Sequence, residues 1–349
     1  MRLLVATAIT LTMVMAFLPL GSRASSEQAY VIGAVGDVAG DHLPDSSGQR
    51  NHMDKVANLA LLLQLKYLLV AGDCQHNFGT IEEYMSYYGP AFGSKVDSIT
   101  YPVVGNHDYY KSGTAAGFFD YFNTRLDAIQ AQPIVSMDSS GRSLGYYSFN
   151  LGTWHIVALN SELIEPGYSN EASWNDRMYF GPGTPEYAAE MTWLQNDLVA
   201  YGHSGQTGLI AFWHHPFTYD TWMKPVWDLL YKYGCDIVLN GHDHNYQRWA
   251  KMNPDQVADP NGIREFVVGT GGYYDNSLLT NGDGDNGFQN GVGHYNLSSR
   301  MPSTFQFGQD TQFGLMQLTL HRGSYDFKYI AIDGKVLDQG SKVPVNGHP

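Results

Sequence analysis

The chain has 349 residues, and its 34 acidic and 20 basic side chains give a formal net charge of −14 at pH 7. This acidic excess, with no basic patch, argues against binding nucleic acid through its phosphate backbone. We therefore expect no nucleic-acid partner. The length of the chain is sufficient for one large hydrophobic core.

The first 24 residues have the pattern of a secretory signal peptide. Arg2 gives a positively charged start, residues 3–20 are almost wholly apolar, and a small-residue cleavage pattern ends at Ala24. The alternative is a single membrane anchor, because about 18 apolar residues just span a bilayer. We favour cleavage, which predicts a secreted or periplasmic protein with no membrane attachment. We expect residues 25–349 to form one domain, because no linker-like break is visible in the sequence between residues 36 and 244.

Short apolar segments with the composition of buried strands alternate with helical segments in the first half of the chain. The predicted strands of this kind are 30–35, 67–71, 100–104, 209–212 and 236–239. The predicted helices are 56–65, 114–123, 185–200 and 225–233. Further strands are expected at 145–151 with 153–160, at 264–268, and in a hairpin of 313–321 with 325–332. Two stretches, 165–185 and 271–312, have the composition of long loops.

Each of the five buried strands is followed by residues that commonly bind metal ions. These residues are Asp37; Asp73 and His76; Asn106, His107 and Asp108; His214 and His215; and His242, Asp243 and His244. Ligands of open α/β sheets lie beyond the carboxyl ends of the strands, so we expect these side chains to converge. Carboxylate, amide and imidazole donors without a thiolate cluster suit Zn, Mn or Fe. The pattern therefore predicts a hydrolytic site with two metal ions roughly 3.5–4 Å apart.

A glycine precedes the ligand in four of the five segments, namely Gly36, Gly72, Gly105 and Gly241. Glycine lets the chain turn sharply out of a sheet and approach an ion closely.

The two cysteines, Cys74 and Cys235, leave a disulfide open in a secreted chain. Cys74 follows the end of one predicted strand, whereas Cys235 begins another. Parallel neighbours would hold them about a strand length, roughly 17 Å, apart, which is too far for a bridge. We therefore favour two buried thiols.

Together, the five segments resemble those of the calcineurin-like metallophosphoesterases, and within them the purple acid phosphatase branch. The similarity covers about residues 28–340 and extends to Ser161-Glu162, Trp193-Leu194, Tyr246-Gln247-Arg248 and the Gly269–Gly272 segment. It implies an α/β fold of four layers, an α/β/β/α sandwich. It also implies a secreted phosphatase that hydrolyses small phosphate monoesters by in-line attack of a metal-bound hydroxide. A phosphodiesterase or nucleotidase with the same site, and a metal-binding surface protein without turnover, are the alternatives.

The resemblance also implies a role for each site residue. The first ion would be held by Asp37, Asp73 and His244, and the second by Asp73, Asn106, His214 and His242. Asp73 would bridge the two ions because a carboxylate has two oxygens to share. His107 would not bind metal but would face the substrate, stabilise the transition state and protonate the leaving alkoxide. Asp108, His215 and Asp243 would orient their neighbours.

One position departs from the purple acid phosphatases. Those enzymes carry a tyrosine three residues after the bridging aspartate, and its phenolate binds ferric iron and gives the colour. This chain has His76 there, and Ala39 stands where many other family members have a histidine ligand. We expect His76 to bind the first ion, the alternative being a loop histidine satisfied by other groups. A neutral imidazole predicts a colourless or weakly coloured enzyme that uses divalent Fe, Zn or Mn and works nearer neutral pH.

Overall fold

The computed structural model describes residues 28–41, 52–129, 144–166, 180–218, 220–273, 281–282, 292–293 and 303–346. The predicted signal peptide and most of the two predicted long loops lie outside the described residues.

The strands are short, as expected for a layered α/β protein. They are β1 (Tyr30–Val35), β2 (Leu68–Val70), β3 (Thr100–Pro102), β4 (Tyr147–Leu151), β5 (Trp154–Ala158), β6 (Gly208–Phe212), β7 (Ile237–Asn240), β8 (Tyr246–Met252), β9 (Ile263–Val268), β10 (Asn281–Gly282), β11 (Val292–Gly293), β12 (Phe305–Gln309), β13 (Gly314–Leu320), β14 (Ser324–Ala331) and β15 (Val336–Pro344).

The helices lie between the strands of the first two thirds of the chain. They are α1 (Met53–Leu62), α2 (Ile81–Glu83), α3 (Ser94–Val96), α4 (Asn106–Tyr109), α5 (Ala116–Ile129), α6 (Pro185–Tyr201) and α7 (Lys224–Lys232), with a π-helix at Tyr84–Gly93 and 3₁₀ turns at Asp97–Ile99, Ser161–Leu163 and Thr221–Met223. Among the described residues, no helix has both the length and the hydrophobicity needed to cross a bilayer.

Two large sheets form the centre of the fold. One has the order β15-β14-β13-β1-β2-β3, and the other has the order β12-β8-β9-β7-β6-β5-β4. Strands β1, β2 and β3 are parallel to one another, as are β5, β6, β7 and β9. The five strands that precede the predicted ligands are therefore divided between two sheets, three in the first and two in the second.

Burial on both faces of each sheet gives four layers. Side chains such as Ile32 and Leu69 of the first sheet pack between the sheets against Ile156, Phe212 and Leu239 of the second. The outer face of the first sheet packs against α1, the π-helix and α5, and the outer face of the second packs against α6 and α7. The predicted α/β/β/α sandwich is confirmed.

The expected buried strands, helices and hairpins are present, with ends that differ by a few residues. The π-helix, helices α2 to α4 and strands β8, β10, β11, β12 and β15 were not predicted from the sequence, and β10, β11 and β12 lie within the predicted loop 271–312. The π-helix contains Gly89, Pro90 and Gly93, which favour turns, but it buries Tyr84 and Phe92 in the core. Tertiary packing overrides local propensity in this segment.

Both cysteines are free and buried, as predicted. Cys74 lies in the outer core of the first sheet and Cys235 in that of the second, so the two sheets separate them.

Trp154 is the side chain whose loss we expect to cost the most stability. It is 1 % exposed between the sheets, and its indole N–H donates to the His321 carbonyl, 2.7 Å away, at the end of β13. Trp154→Ala should lower the free energy of unfolding by about 3–5 kcal/mol, because it leaves a cavity and an unpaired carbonyl. Leu62→Ala, at a side chain 79 % exposed, is the control and should change it by about 0.5 kcal/mol or less. Equal urea-unfolding midpoints for the two variants would contradict this assignment.

Candidate metal centre

The loops that follow β1, β2, β3, β6 and β7 meet at one edge of the two sheets and are joined by hydrogen bonds. The amide of Asp37 donates to the Gly72 carbonyl (3.2 Å), and that of Gly241 donates to the His214 carbonyl (3.0 Å). Between the sheets, the amide of His242 donates to Asp37 Oδ2 at 2.9 Å. The predicted convergence of the five segments therefore occurs across a pair of sheets.

Three predicted ligands have left-handed backbone conformations, with φ of 58° at Asp37, 47° at Asp73 and 70° at His242. Such conformations cost a residue with a side chain on the order of 1–2 kcal/mol. Strained residues of this kind cluster at functional sites, where the surrounding structure maintains them.

The preceding glycines have more than one structural role. Of the four, only Gly72 has a left-handed φ, of 84°. A Cβ at Gly105 would overlap the side chain of Asp73, and one at Gly241 would lie 2.6 Å from Asp37 Oδ2. Backbone atoms are equally close, because a Cβ at Gly105 would also overlap the Asp73 amide and one at Gly241 would lie 2.5 Å from the Ala71 carbonyl oxygen. At these two positions, close contacts with ligand side chains and with backbone together require glycine.

The first group of donor atoms surrounds Asp37. Asp37 Oδ1 lies 3.4 Å from His244 Nε2 and 3.7 Å from His76 Nε2. His76 Nε2 also lies 3.3 Å from Asp73 Oδ2. Asp37 Oδ1 and His76 Nε2 are buried without a hydrogen-bond partner, which is costly for polar atoms unless another group satisfies them. A cation fits this donor set.

The second group contains Asn106, His214 and His242 together with Asp73. His214 Nε2 lies 3.2 Å from Asp73 Oδ2, 2.8 Å from Asn106 Oδ1 and 3.3 Å from His242 Nδ1. His242 Nδ1 lies 3.2 Å from Asn106 Oδ1. Ligands bonded to Zn at about 2.0–2.2 Å in a tetrahedron lie roughly 3.3–3.6 Å from one another. Asn106, His214 and His242 are therefore close enough to share one ion, and Asp73 Oδ2 adjoins them at His214.

Asp73 belongs to both groups through a single oxygen. Its Oδ2 faces both His76 and His214, whereas Oδ1 accepts a hydrogen bond from the His107 amide at 3.0 Å. The sequence predicts one oxygen for each ion, whereas in this structure a single oxygen lies near both donor groups. Bridging by Asp73 stays a prediction. Burial raises the pKa of Asp73, but the imidazoles of His214, His107 and His76 outweigh it and hold that pKa well below its usual value.

Backbone carbonyls orient two of the imidazoles. His214 Nδ1 donates to the Ala71 carbonyl (3.0 Å) and His76 Nδ1 to the Ala39 carbonyl (3.2 Å). Each bond leaves Nε2 as the atom that faces the carboxylates, which is the usual support of a metal-binding histidine. Burial, followed by the charge of His107, lowers the pKa of His76 to about 4, which favours the neutral ring. Ala39 thus supports His76 through its backbone.

His107 lies beside both groups of donors. Its Nδ1 donates to the Asn77 carbonyl at 3.0 Å, and its Nε2 lies 3.9 Å from Asp73 Oδ2. The side chain is 8 % exposed. The distances also allow Asp73, His76 and His107 to share an ion.

The three predicted orienting residues contact the loops, and the ring of His215 also lies 4.5 Å from that of His242 and 5.1 Å from that of His214, centroid to centroid. Asp108 accepts hydrogen bonds from the Gly105 amide (3.0 Å) and the Tyr84 hydroxyl (2.6 Å), and burial, followed by the charge of Asp73, raises its pKa to about 8. Asp243 accepts from Gln247 at 3.0 Å. His215 Nδ1 lies 3.0 Å from Ser161 Oγ and 3.5 Å from a Glu162 oxygen.

Sequence reasoning missed two tyrosines at the site. The Tyr110 hydroxyl accepts a hydrogen bond from Asn106 Nδ2 at 2.7 Å, which turns the amide oxygen toward His214 and His242. Tyr273 stacks on the ring of His76. Tyr110 directly follows the Asn106–Tyr109 segment, and Tyr273 directly follows Gly269–Gly272, so proximity to a recognised motif was the available signal in both cases.

The model of the family described as calcineurin-like phosphoesterase matches residues 30–246, which include every predicted ligand. The chain belongs to this family.

Purple acid phosphatases are among its relatives. Purple acid phosphatase 15 of Arabidopsis thaliana is 31 % identical over 172 residues, which are 46 % of this chain and 28 % of that protein. Purple acid phosphatase 18 of the same plant is 26 % identical over 225 residues, 60 % of this chain and 44 % of that protein. This chain thus spans less than half the length of these relatives.

A solved purple acid phosphatase, PPD1 from seeds of yellow lupin (Lupinus luteus), has a similar fold. It superimposes with a TM-score of 0.59 at 17 % identity, covering 90 % of this chain and 53 % of that one.

Proposed function

We propose that this protein is a metal-dependent phosphatase that hydrolyses phosphate monoesters. The observation that best supports this is the position of Asp73 Oδ2, which lies 3.3 Å from His76 Nε2 and 3.2 Å from His214 Nε2 and so belongs to two adjacent groups of donors. Two ions held there would lower the pKa of water and neutralise charge on the phosphate oxygens.

We assign the predicted ligands to two ions that share this oxygen. Asp37, His76 and His244 would hold the first ion, Asn106, His214 and His242 the second, and Asp73 both. Two divalent ions held by two carboxylates and otherwise neutral donors would keep a net positive charge. A centre of that charge attracts a phosphate dianion despite the net charge of −14 on the chain.

His107 is the proposed proton donor to the leaving group. The Asn77 carbonyl accepts from its Nδ1, which directs Nε2 toward the side of Asp73 Oδ2 that faces the donors. An imidazole held in this way can donate a proton from Nε2 to an alkoxide as the ester bond breaks. The charged ring would also stabilise the transition state.

Hydrolysis of chromogenic substrates tests the proposal. The purified protein is assayed with p-nitrophenyl phosphate and bis(p-nitrophenyl) phosphate after loading with Zn, Mn or ferrous Fe. Faster turnover of the monoester with about two metal equivalents bound is the expected result. Faster turnover of the diester would favour the phosphodiesterase or nucleotidase alternative. Tight metal binding without hydrolysis of either would favour a metal-binding surface protein.

His76 gives a prediction about the metal. A neutral imidazole in place of a phenolate favours a divalent first ion, so the wild-type protein should be colourless or weakly coloured. His76→Tyr should raise affinity for ferric iron and add a visible charge-transfer band. His76→Phe introduces the ring of tyrosine without its oxygen and should do neither. The measurement is the absorption spectrum during ferric titration. An intense purple wild-type protein, or identical spectra for the two variants, would refute the role of His76.

Secretion is proposed from the first 24 residues alone. Expression of the whole chain followed by N-terminal sequencing of the extracytoplasmic fraction should give Ser25 as the first residue. A chain that stays membrane-bound with Met1 or Arg2 at its start would support the anchor instead.

A further inference from the structure

Tyr273 contacts the side chains of His76 and Asn77. It follows Gly272 at the exit of β9, far in sequence from the β2 and β3 loops. Its ring stacks on His76 with centroids 3.7 Å apart and planes 16° from parallel. Its hydroxyl donates to Asn77 Oδ1 at 3.3 Å, and the carbonyl of the same asparagine accepts from His107.

The backbone brings Tyr273 to this position. The Gly271 amide donates to the Gly36 carbonyl (2.9 Å), and the Tyr273 amide donates to the Asp37 carbonyl (3.2 Å). Gly272 has a φ of 137°, and a Cβ there would overlap the backbone of Met53. The glycine-rich segment thus ties Tyr273 to the backbone of the first predicted ligand.

Three other rings flank the buried ring of His76. His107 lies at 4.4 Å and His244 at 5.1 Å between centroids, at angles of 51° and 90°. The Ala39 carbonyl fixes one nitrogen, but a single hydrogen bond leaves the plane of the ring free to tilt. The nearly parallel ring of Tyr273 restricts that tilt, which keeps Nε2 directed at Asp37 and Asp73.

We propose that Tyr273 is a positioning residue with two separable effects: its ring sets the metal affinity of His76, and its hydroxyl, through Asn77, sets the orientation of His107. This inference rests on the proposed roles of those two histidines. It also assigns a reason for the tyrosine after the glycine-rich segment.

Two substitutions separate the effects. Tyr273→Leu removes both ring and hydroxyl and should weaken binding of one metal equivalent roughly 10–100-fold, the usual scale for a residue that supports a ligand. Tyr273→Phe keeps the ring, so its metal affinity should stay within about 3-fold. It should lower turnover of alkyl phosphates several-fold more than that of p-nitrophenyl phosphate, because only poor leaving groups need the proton. Tyr67→Leu, at another partly buried tyrosine that contacts a tyrosine ring outside the site, is the control for both measurements.

A double-mutant cycle tests whether Tyr273 acts through His76. Zinc affinity is measured without substrate, by competition with a chelator, for wild type, Tyr273→Leu, His76→Ala and the double variant. If the ring acts through His76, Tyr273→Leu should have no further effect once His76 is alanine. Equal losses in both backgrounds, or no loss in either, would overturn the ring effect.

The proposed role of the Tyr273 hydroxyl would be contradicted if Tyr273→Phe lowered turnover equally for alkyl phosphates and p-nitrophenyl phosphate. The cycle also separates this inference from the proposed phosphatase activity. If Tyr273 and His76 are coupled in zinc affinity but the protein hydrolyses no phosphate ester, only the proposed activity is contradicted. Urea unfolding of the metal-free variants identifies any that fail to fold. Because the Tyr273 side chain is only partly buried, we expect normal folding.

Discussion

Asp73→Asn should lose most of both metal equivalents, and hydrolysis with them. Oδ1 of Asp73 accepts from the His107 amide, and Oδ2 faces His76 and His214. An asparagine has a single acceptor oxygen. If that oxygen pairs with the His107 amide, an NH₂ group without an available lone pair faces the metal site; if it turns, the amide is left unpaired. The charge that balances the ions is lost in either orientation.

Metal content of the dialysed protein and turnover of p-nitrophenyl phosphate are the two measurements. Asp197→Asn is a matched control, because Asp197 pairs with His155 at 2.8 Å and with Ser148 at 2.7 Å away from the site. It should retain both metal equivalents. Two full equivalents in Asp73→Asn would show that this carboxylate does not bridge.

His107→Ala should cut turnover of alkyl phosphates by roughly 10²–10⁴-fold, the usual contribution of a general acid. The loss should be much smaller for p-nitrophenyl phosphate, whose leaving group departs without a proton. Metal content should stay near that of wild type, since Nε2 of His107 lies 3.9 Å from the nearest Asp73 oxygen. The exposed His203 gives a control histidine for the same substitution.

Two different outcomes would contradict this role. Loss of a metal equivalent in His107→Ala would make His107 a ligand together with Asp73 and His76, an arrangement that the distances also allow. Equal losses for good and poor leaving groups would leave electrostatic stabilisation as its only function.

The ligand motifs follow strands of distinctive composition, whereas some elements that complete the sheets have no such pattern. The strands before Asp37, Asp73, Asn106, His214 and His242 are short apolar runs buried on both faces, and this composition is visible in a single sequence. Strand β15 is different. It lies at the edge of its sheet and buries few side chains, so its pairing with β14 depends on backbone hydrogen bonds that no residue pattern records.

The sequence by itself determined which residue types lie at the strand ends, the family that they resemble and the place of His76 where a tyrosine was expected. The tertiary structure decided that the five ends meet between two sheets and that one oxygen of Asp73 faces both donor groups. It also decided that Tyr273 covers His76. These features depend on contacts between residues as far apart as 76 and 273, whose distance in space is set by the packing of the layers and not by any local pattern of the chain.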